Sequence, residues 1–168
     1  MEALKIVAGA VLAAVLYGMV HDQVTIRVCL EYFTVFHPPV FRTHNPTLLA
    51  LGWGVIATWW MGVILGTLLA IAARAGSPPR VSARELGPKV LKLLAVMGVC
   101  ALIAGVTGYF VTGAMGGDNF YRRLQADLWA HSASYFVGAI GSVGLCVRTA
   151  IVRKRLSGVD LQVPGTSR

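Results

Sequence analysis

The sequence predicts an all-α membrane protein: a four-transmembrane-helix bundle with an extracytoplasmic cap segment, partly extended, between the first and second helices. Three observations carry this reading. Charged residues make up 13% of the 168-residue chain, about half of the roughly 25% usual for a soluble domain. Apolar residues make up 56% and the mean hydropathy is +0.68. The apolar residues fall into four runs, 4–20, 48–73, 90–112 and 128–148, close to the length of about 20 residues that crosses a bilayer. A chain of this length holds a single membrane domain.

The first run follows Lys5 and is the shortest. Glu2 in its leading segment, and the lack of a small-x-small pattern at Gly18-Met19-Val20, favour an uncleaved helix over a signal peptide. Residues 24–36 then change period. Val24, Ile26, Val28 and Leu30 alternate with Thr25, Arg27, Cys29 and Glu31, which predicts an extended stretch within the 21–46 cap. His37-Pro38-Pro39 ends that stretch, because proline cannot donate to a ladder.

Asn45-Pro46 starts the second helix, with asparagine as N-cap and proline at the first helical position. Residues 48–73 carry no charge and contain Gly62-x-x-x-Gly66, a close-packing pair. The connector 74–89 is broken at Ser77-Pro78-Pro79, and Ser82-x-x-Glu85 forms a capping box for the third helix. That helix bears small residues at 98, 101, 105, 108 and 112, a narrow packing stripe. After a loop at 113–117, Asp118 caps a helix that runs on into the fourth span. Asp118 with Arg122, and Arg123 with Asp127, stand at i,i+4 spacing. Asp127, His131, Ser134, Tyr135, Gly138 and Ser142 share one face, which in a membrane helix turns toward protein or water. The basic tail 149–168 is expected to loosen toward its end.

The net charge of +8 invites a nucleic-acid reading. Its placement argues against one, since the basic residues cluster at the ends of apolar runs. Eleven of the fifteen Lys and Arg residues lie at 74–92, at 148–168 or at Lys5. By the positive-inside rule both termini and the connector are then cytoplasmic, in a multi-pass arrangement. The same rule puts His21, His37, His44 and His131 all on the outer face. Cys29, Cys100 and Cys146 include no Cys-x-x-Cys pair, so neither a disulfide framework nor a dithiol redox enzyme is indicated.

The runs Tyr17-Gly18-Met19-Val20-His21-Asp22-Gln23, Arg27-Val28-Cys29, Glu31-Tyr32-Phe33-Thr34, Asn45-Pro46-Thr47 and Gly52-Trp53-Gly54 resemble a family of small uncharacterised bacterial multi-pass membrane proteins. The resemblance covers the first half of the chain. It implies a bacterial inner membrane and brings no activity with it.

Two functions fit the outer polar face. In the first, His21, Asp22, Glu31, His37, Asp127 and His131 supply a metal site for Zn, Cu or Fe, ligands that suit imidazole and carboxylate donors. Asp127 and His131 stand one turn apart, and short connections would make the first helix a neighbour of the fourth. Haem held by His21 and His131 ranks lower, since haem ligands sit deeper between facing helices. Taken singly, these histidines read as interfacial side chains satisfied by Asp22, Ser134 or Tyr135, with Asp127 paired to Arg123. In the second, the protein is a non-catalytic subunit or scaffold that binds a homo-oligomer mate or a partner membrane protein through the 21–46 segment. The lipid bilayer is its surrounding in either case, and no catalytic residue is assigned. Gly141-Ser142-Val143-Gly144 resembles a serine nucleophile turn but lies deep in a span with no histidine at that depth. Ion transport lacks a charged residue at mid-membrane.

Overall fold

The computed structural model describes residues 1–76 and 78–160, with the side chains of 158–160 excepted. The described residues form five helices: α1 (Glu2–Val28), α2 (Leu30–Thr34), α3 (Pro46–Arg74), α4 (Ala83–Ala114) and α5 (Asn119–Asp160). Among the described residues there is no strand. Helices α1, α3, α4 and α5 are each long and apolar enough to cross a membrane.

The caps form as their local chemistry dictates. Asn45 Oδ1 accepts from Leu48 N at 3.2 Å, with Pro46 leading the helix. Ser82 and Glu85 exchange both capping-box bonds, and Asp118 Oδ1 accepts from Tyr121 N at 2.8 Å. Each bond satisfies an amide that a helix N-terminus would otherwise leave without a partner.

The extended reading of 24–36 is overturned. Helix α1 continues to Val28, a single extended residue, Cys29 (φ −142°, ψ 93°), turns the chain, and α2 follows. Two periodicities coexist here. Val24, Val28 and Leu30 alternate, but Val24 and Leu30 are exposed, whereas Asp22, Thr25, Ile26 and Cys29 are all buried. Their spacing of i, i+3, i+4 and i+7 is one face of a helix, and burial of that face against α2 and α3 decides the conformation. Arg27 secures the helix end through Gln23 and, at 3.2 Å, the Thr47 hydroxyl.

Two antiparallel pairs make the bundle. Gly18, Gly54, Gly62 and Gly66 let α1 and α3 touch backbone to backbone; a Cβ at Gly62 would stand 2.6 Å from Val11 Cα. Gly105 and Gly108 do the same for α4 and α5 against Ala126 and Trp129. The pairs meet through α1 with α4 and α3 with α5, while the backbones of α3 and α4 stay apart. The order around the bundle is therefore α1, α3, α5, α4. The first and fourth spans lie across the shorter diagonal and still touch there, as expected of neighbours, although glycine contacts commit α1 to α3 and α5 to α4.

Apolar clusters close both ends. Ile6, Leu69, Ala73, Val81 and Leu86 pack at the end that holds the N-terminus. Ile26, Phe33, Leu49 and Ala50 pack under α2 at the other. Helix α5 runs far beyond the predicted span, and Arg153, 4% exposed, explains why its last turns stay docked. Its guanidinium donates to the carbonyls of Ala72 (2.6 Å), Ala75 (2.9 Å), Pro78 (3.2 Å) and Pro79 (2.7 Å). Those groups end α3 and begin the connector, so one side chain ties α5 to the α3–α4 turn. Residues 161–168 of the predicted loose tail, and Ser77 of the predicted break, lie outside the described residues.

Candidate metal centre

The last turns of α1 and the first turns of the membrane part of α5 bring His21, Asp22, Asp127 and His131 together across the bundle diagonal. The α1 and α5 backbones approach one another there, and the side chains meet next to the α2 lid. One donor atom from each of His21, Asp22 and His131 lies within 4.8 Å of the others. The His21 and His131 rings meet edge to face at 4.7 Å.

His131 has its orientation set locally. Its Nδ1 lies 2.9 Å from the carbonyl oxygen of Asp127, one turn earlier on α5. A carbonyl only accepts, so Nδ1 carries the proton and donates. In the neutral ring Nε2 is then a lone pair, and it faces Asp22 Oδ1 at 3.4 Å. Asp22 is 5% exposed. Two acceptors facing each other in a buried site need a positive charge between them.

Several polar groups beside this pair lack hydrogen-bond partners. Asp127 is 1% exposed, and neither of its carboxylate oxygens is hydrogen-bonded. The nearer one is 3.6 Å from His131 Nδ1, beyond hydrogen-bonding distance. The Thr25 hydroxyl, beside Asp127, and His21 Nε2 are also unpartnered. Each such group costs about 1–3 kcal/mol when buried, more if charged. The chain concentrates this cost at one place, as functional sites do.

The expected charge pairs on α5 do not form. Arg123 reaches Glu31 at 3.8 Å instead of Asp127. Arg122 lies over the Tyr109 ring, 4.1 Å from its centre, instead of pairing with Asp118. Asp127 faces inward, so a surface arginine cannot reach it without burial.

The remaining predicted ligands take other roles. Glu31 is engaged by Arg123 and accepts from the Cys29 thiol at 3.6 Å. His37 Nδ1 donates to the Tyr32 carbonyl at 2.7 Å, and the ring packs on Trp53. The Tyr32 ring lies between the two histidines, 4.6 Å from His37 and 4.7 Å from His131. His44 is exposed.

Sequence reasoning missed Tyr17, Thr25 and Tyr32. Tyr17 bonds Ser134 at 2.7 Å, joining α1 to α5 directly below the cluster. The i, i+3 spacing of Asp22 and Thr25 was the available signal for Thr25. Tyr32 covers His131, and burial together with the Asp127 carboxylate pushes its hydroxyl up to about 12. Burial also raises the Cys29 thiol, with Glu31 adding to the shift, so Cys29 is poor in thiolate.

Comparison with family models, with curated proteins and with solved structures finds no match to this chain. The functional reading therefore stands on the geometry of the site.

Proposed function

We propose that this protein is a membrane-embedded metalloprotein in which His21, Asp22 and His131 hold a divalent transition metal, zinc, copper or iron, on the outer side of the bilayer. The single observation that carries the reading is the 3.4 Å approach of His131 Nε2 to the buried Asp22 carboxylate, with Nδ1 taken up by the Asp127 carbonyl. Two metal–ligand bonds of about 2.05 Å at a tetrahedral angle hold their donor atoms about 3.4 Å apart. The His131–Asp22 separation is 3.4 Å, and a donor atom of His21 lies within 4.8 Å of those of both residues.

The supporting contact is the His131 hydrogen bond to the Asp127 carbonyl. Metal-ligating histidines donate their second N–H to such a group, which fixes the tautomer and the ring plane. Two imidazoles and one carboxylate leave further coordination positions open, the pattern of reactive zinc and non-haem iron sites rather than of closed structural ones. An ion held this way acts as a Lewis acid and lowers the pKa of bound water.

The placement outside follows from the distribution of basic residues, with both termini cytoplasmic. Elemental analysis and an absorption spectrum of the purified protein test the reading. One equivalent of zinc, copper or iron per chain is expected, and its removal by chelator should lower thermal stability. A metal-free protein whose stability none of these ions raises would assign a proton, not a metal, to the His131–Asp22 gap.

A further inference from the structure

A second cavity, of about 470 Å³, lies between α1, α4 and α5 on the side away from α3. Its size is that of a small-molecule site. Val20, Val24, Leu102, Val106 and Phe110 form its mouth and are exposed on the side of the bundle. In a membrane-spanning bundle that side meets acyl chains, so the mouth opens to the lipid. Its floor is polar. Thr25 and Asp127, 5% and 1% exposed, line it, and their hydroxyl and both carboxylate oxygens lack hydrogen-bond partners, as does His21 Nε2.

We infer that this cleft binds a quinol-type membrane lipid: a neutral hydroxylated aromatic ring on an apolar tail, its hydroxyl donating to Asp127 and meeting Thr25. The polar floor beneath an apolar mouth selects an amphiphile whose head enters first. A carboxylate offers only acceptors, so the head must donate. An ionised fatty acid head offers no donor to it. The walls select a ring, because Tyr17, Tyr109 and Phe110 all line the cavity and aromatic faces pack on one another. The space runs from Tyr17 to Val28 along α1, about 17 Å at the helical rise, enough for a ring and the first part of a tail. Neither the metal nor any electron transfer is needed for this binding.

The test uses full-length protein in nanodiscs after removal of metal by chelator, so that its outcome is independent of the metal reading. Decylhydroquinone should bind saturably, one per chain, above its partitioning into empty nanodiscs. Asp127→Asn and Thr25→Val should each weaken that binding about 10-fold, the loss expected of one hydrogen bond in a buried site. Either variant could fail to fold, so Val106→Trp, which fills the mouth from a lipid-facing position, is made alongside. It should abolish binding while leaving the metal content of unstripped protein unchanged. Decanol or decylammonium binding as tightly as decylhydroquinone would overturn the assignment of a hydroxylated ring. Binding that survives Val106→Trp would place the lipid elsewhere and overturn the site.

Discussion

His131 Nε2 stands 3.4 Å from Asp22 Oδ1 although their helices occupy opposite corners of the bundle. The two side chains meet in the interior, where neither can exchange its partner for water. This makes the pair sensitive to substitution on either side. His131→Ala and Asp22→Ala should each remove bound metal and its share of stability together. A ligand present at 100 times its dissociation constant stabilises by about 2.7 kcal/mol. Glu31→Gln should retain the metal, because Glu31 is held by Arg123 at 3.8 Å and Cys29 at 3.6 Å. Metal analysis beside thermal melts of the three variants checks this. Metal lost from Glu31→Gln and kept in His131→Ala would move the site.

Gly62 and Gly105 set the distances between the paired helices. A Cβ at Gly62 would lie 2.6 Å from Val11 Cα, and one at Gly105 would lie 3.1 Å from the Ala126 carbonyl oxygen. The neighbour is backbone in both cases and cannot rotate away. Leucine at either position should cost on the order of 1–3 kcal/mol, the range for overpacking. Gly62→Leu should also weaken metal binding, since separating α1 from α3 displaces His21 and Asp22. Melting temperatures in detergent that neither substitution lowers would show that these faces meet lipid.

The four spans and their caps were legible because the signals are local: an uncharged run, an Asn-Pro pair, a Ser-x-x-Glu box. The cap segment was not legible. The β-branched alternation at Val24, Ile26 and Val28 and the helical stripe at Asp22, Thr25, Ile26 and Cys29 interleave in one segment and share Ile26, and only burial against α2 and α3 selects between them. Convergence of His21, Asp22, Asp127 and His131 followed from topology, but its route across the diagonal did not. That depended on which helices the glycines allow to touch. Glu31 and His37 were drawn away by Arg123, the Tyr32 carbonyl and Trp53, partners that no spacing in the chain announces.

Arg153 donates to four carbonyls of the α3–α4 turn and is almost fully buried. In the sequence it is one more basic residue of the tail; in the structure it is a clamp. Arg153→Ala should destabilise the protein by on the order of 3 kcal/mol, since the hydrogen bonds are charge-assisted and the carbonyls lose their donor. Arg153→Lys should recover only part of this, because an ammonium cannot reproduce the planar fork. Arg155→Ala, at an exposed position, is the control and should change nothing. Equal melting temperatures for Arg153→Ala and Arg155→Ala would leave the clamp without energetic weight.

Orientation in the membrane is decided by introduced cysteines at Val40 and Arg80, both exposed and at opposite ends of the bundle. Eleven basic residues on one side against four on the other place Arg80 inside. An impermeant maleimide should label Val40→Cys in intact cells and Arg80→Cys only after lysis. Labelling of both positions from one side contradicts a spanning bundle.

The Tyr32 hydroxyl provides a test of the lid by pH. Burial, then the negative charge of Asp127, raise it from the ordinary value of 10 to about 12. The folded state therefore favours the neutral phenol. Its contribution to stability is complete below pH 10 and is lost as pH rises through about 12. In an alkaline absorbance titration of wild-type protein, the ionisation of Tyr32 should fall near pH 12, with loss of stability over that same interval. In Tyr32→Phe the late absorbance change should shrink by one tyrosine and the fall in stability between these pH values should flatten, since the side chain keeps its packing on His131 but has no proton to lose. An unchanged titration would mean that α2 opens before the phenol ionises, so that Tyr32 does not seal His131 from solvent.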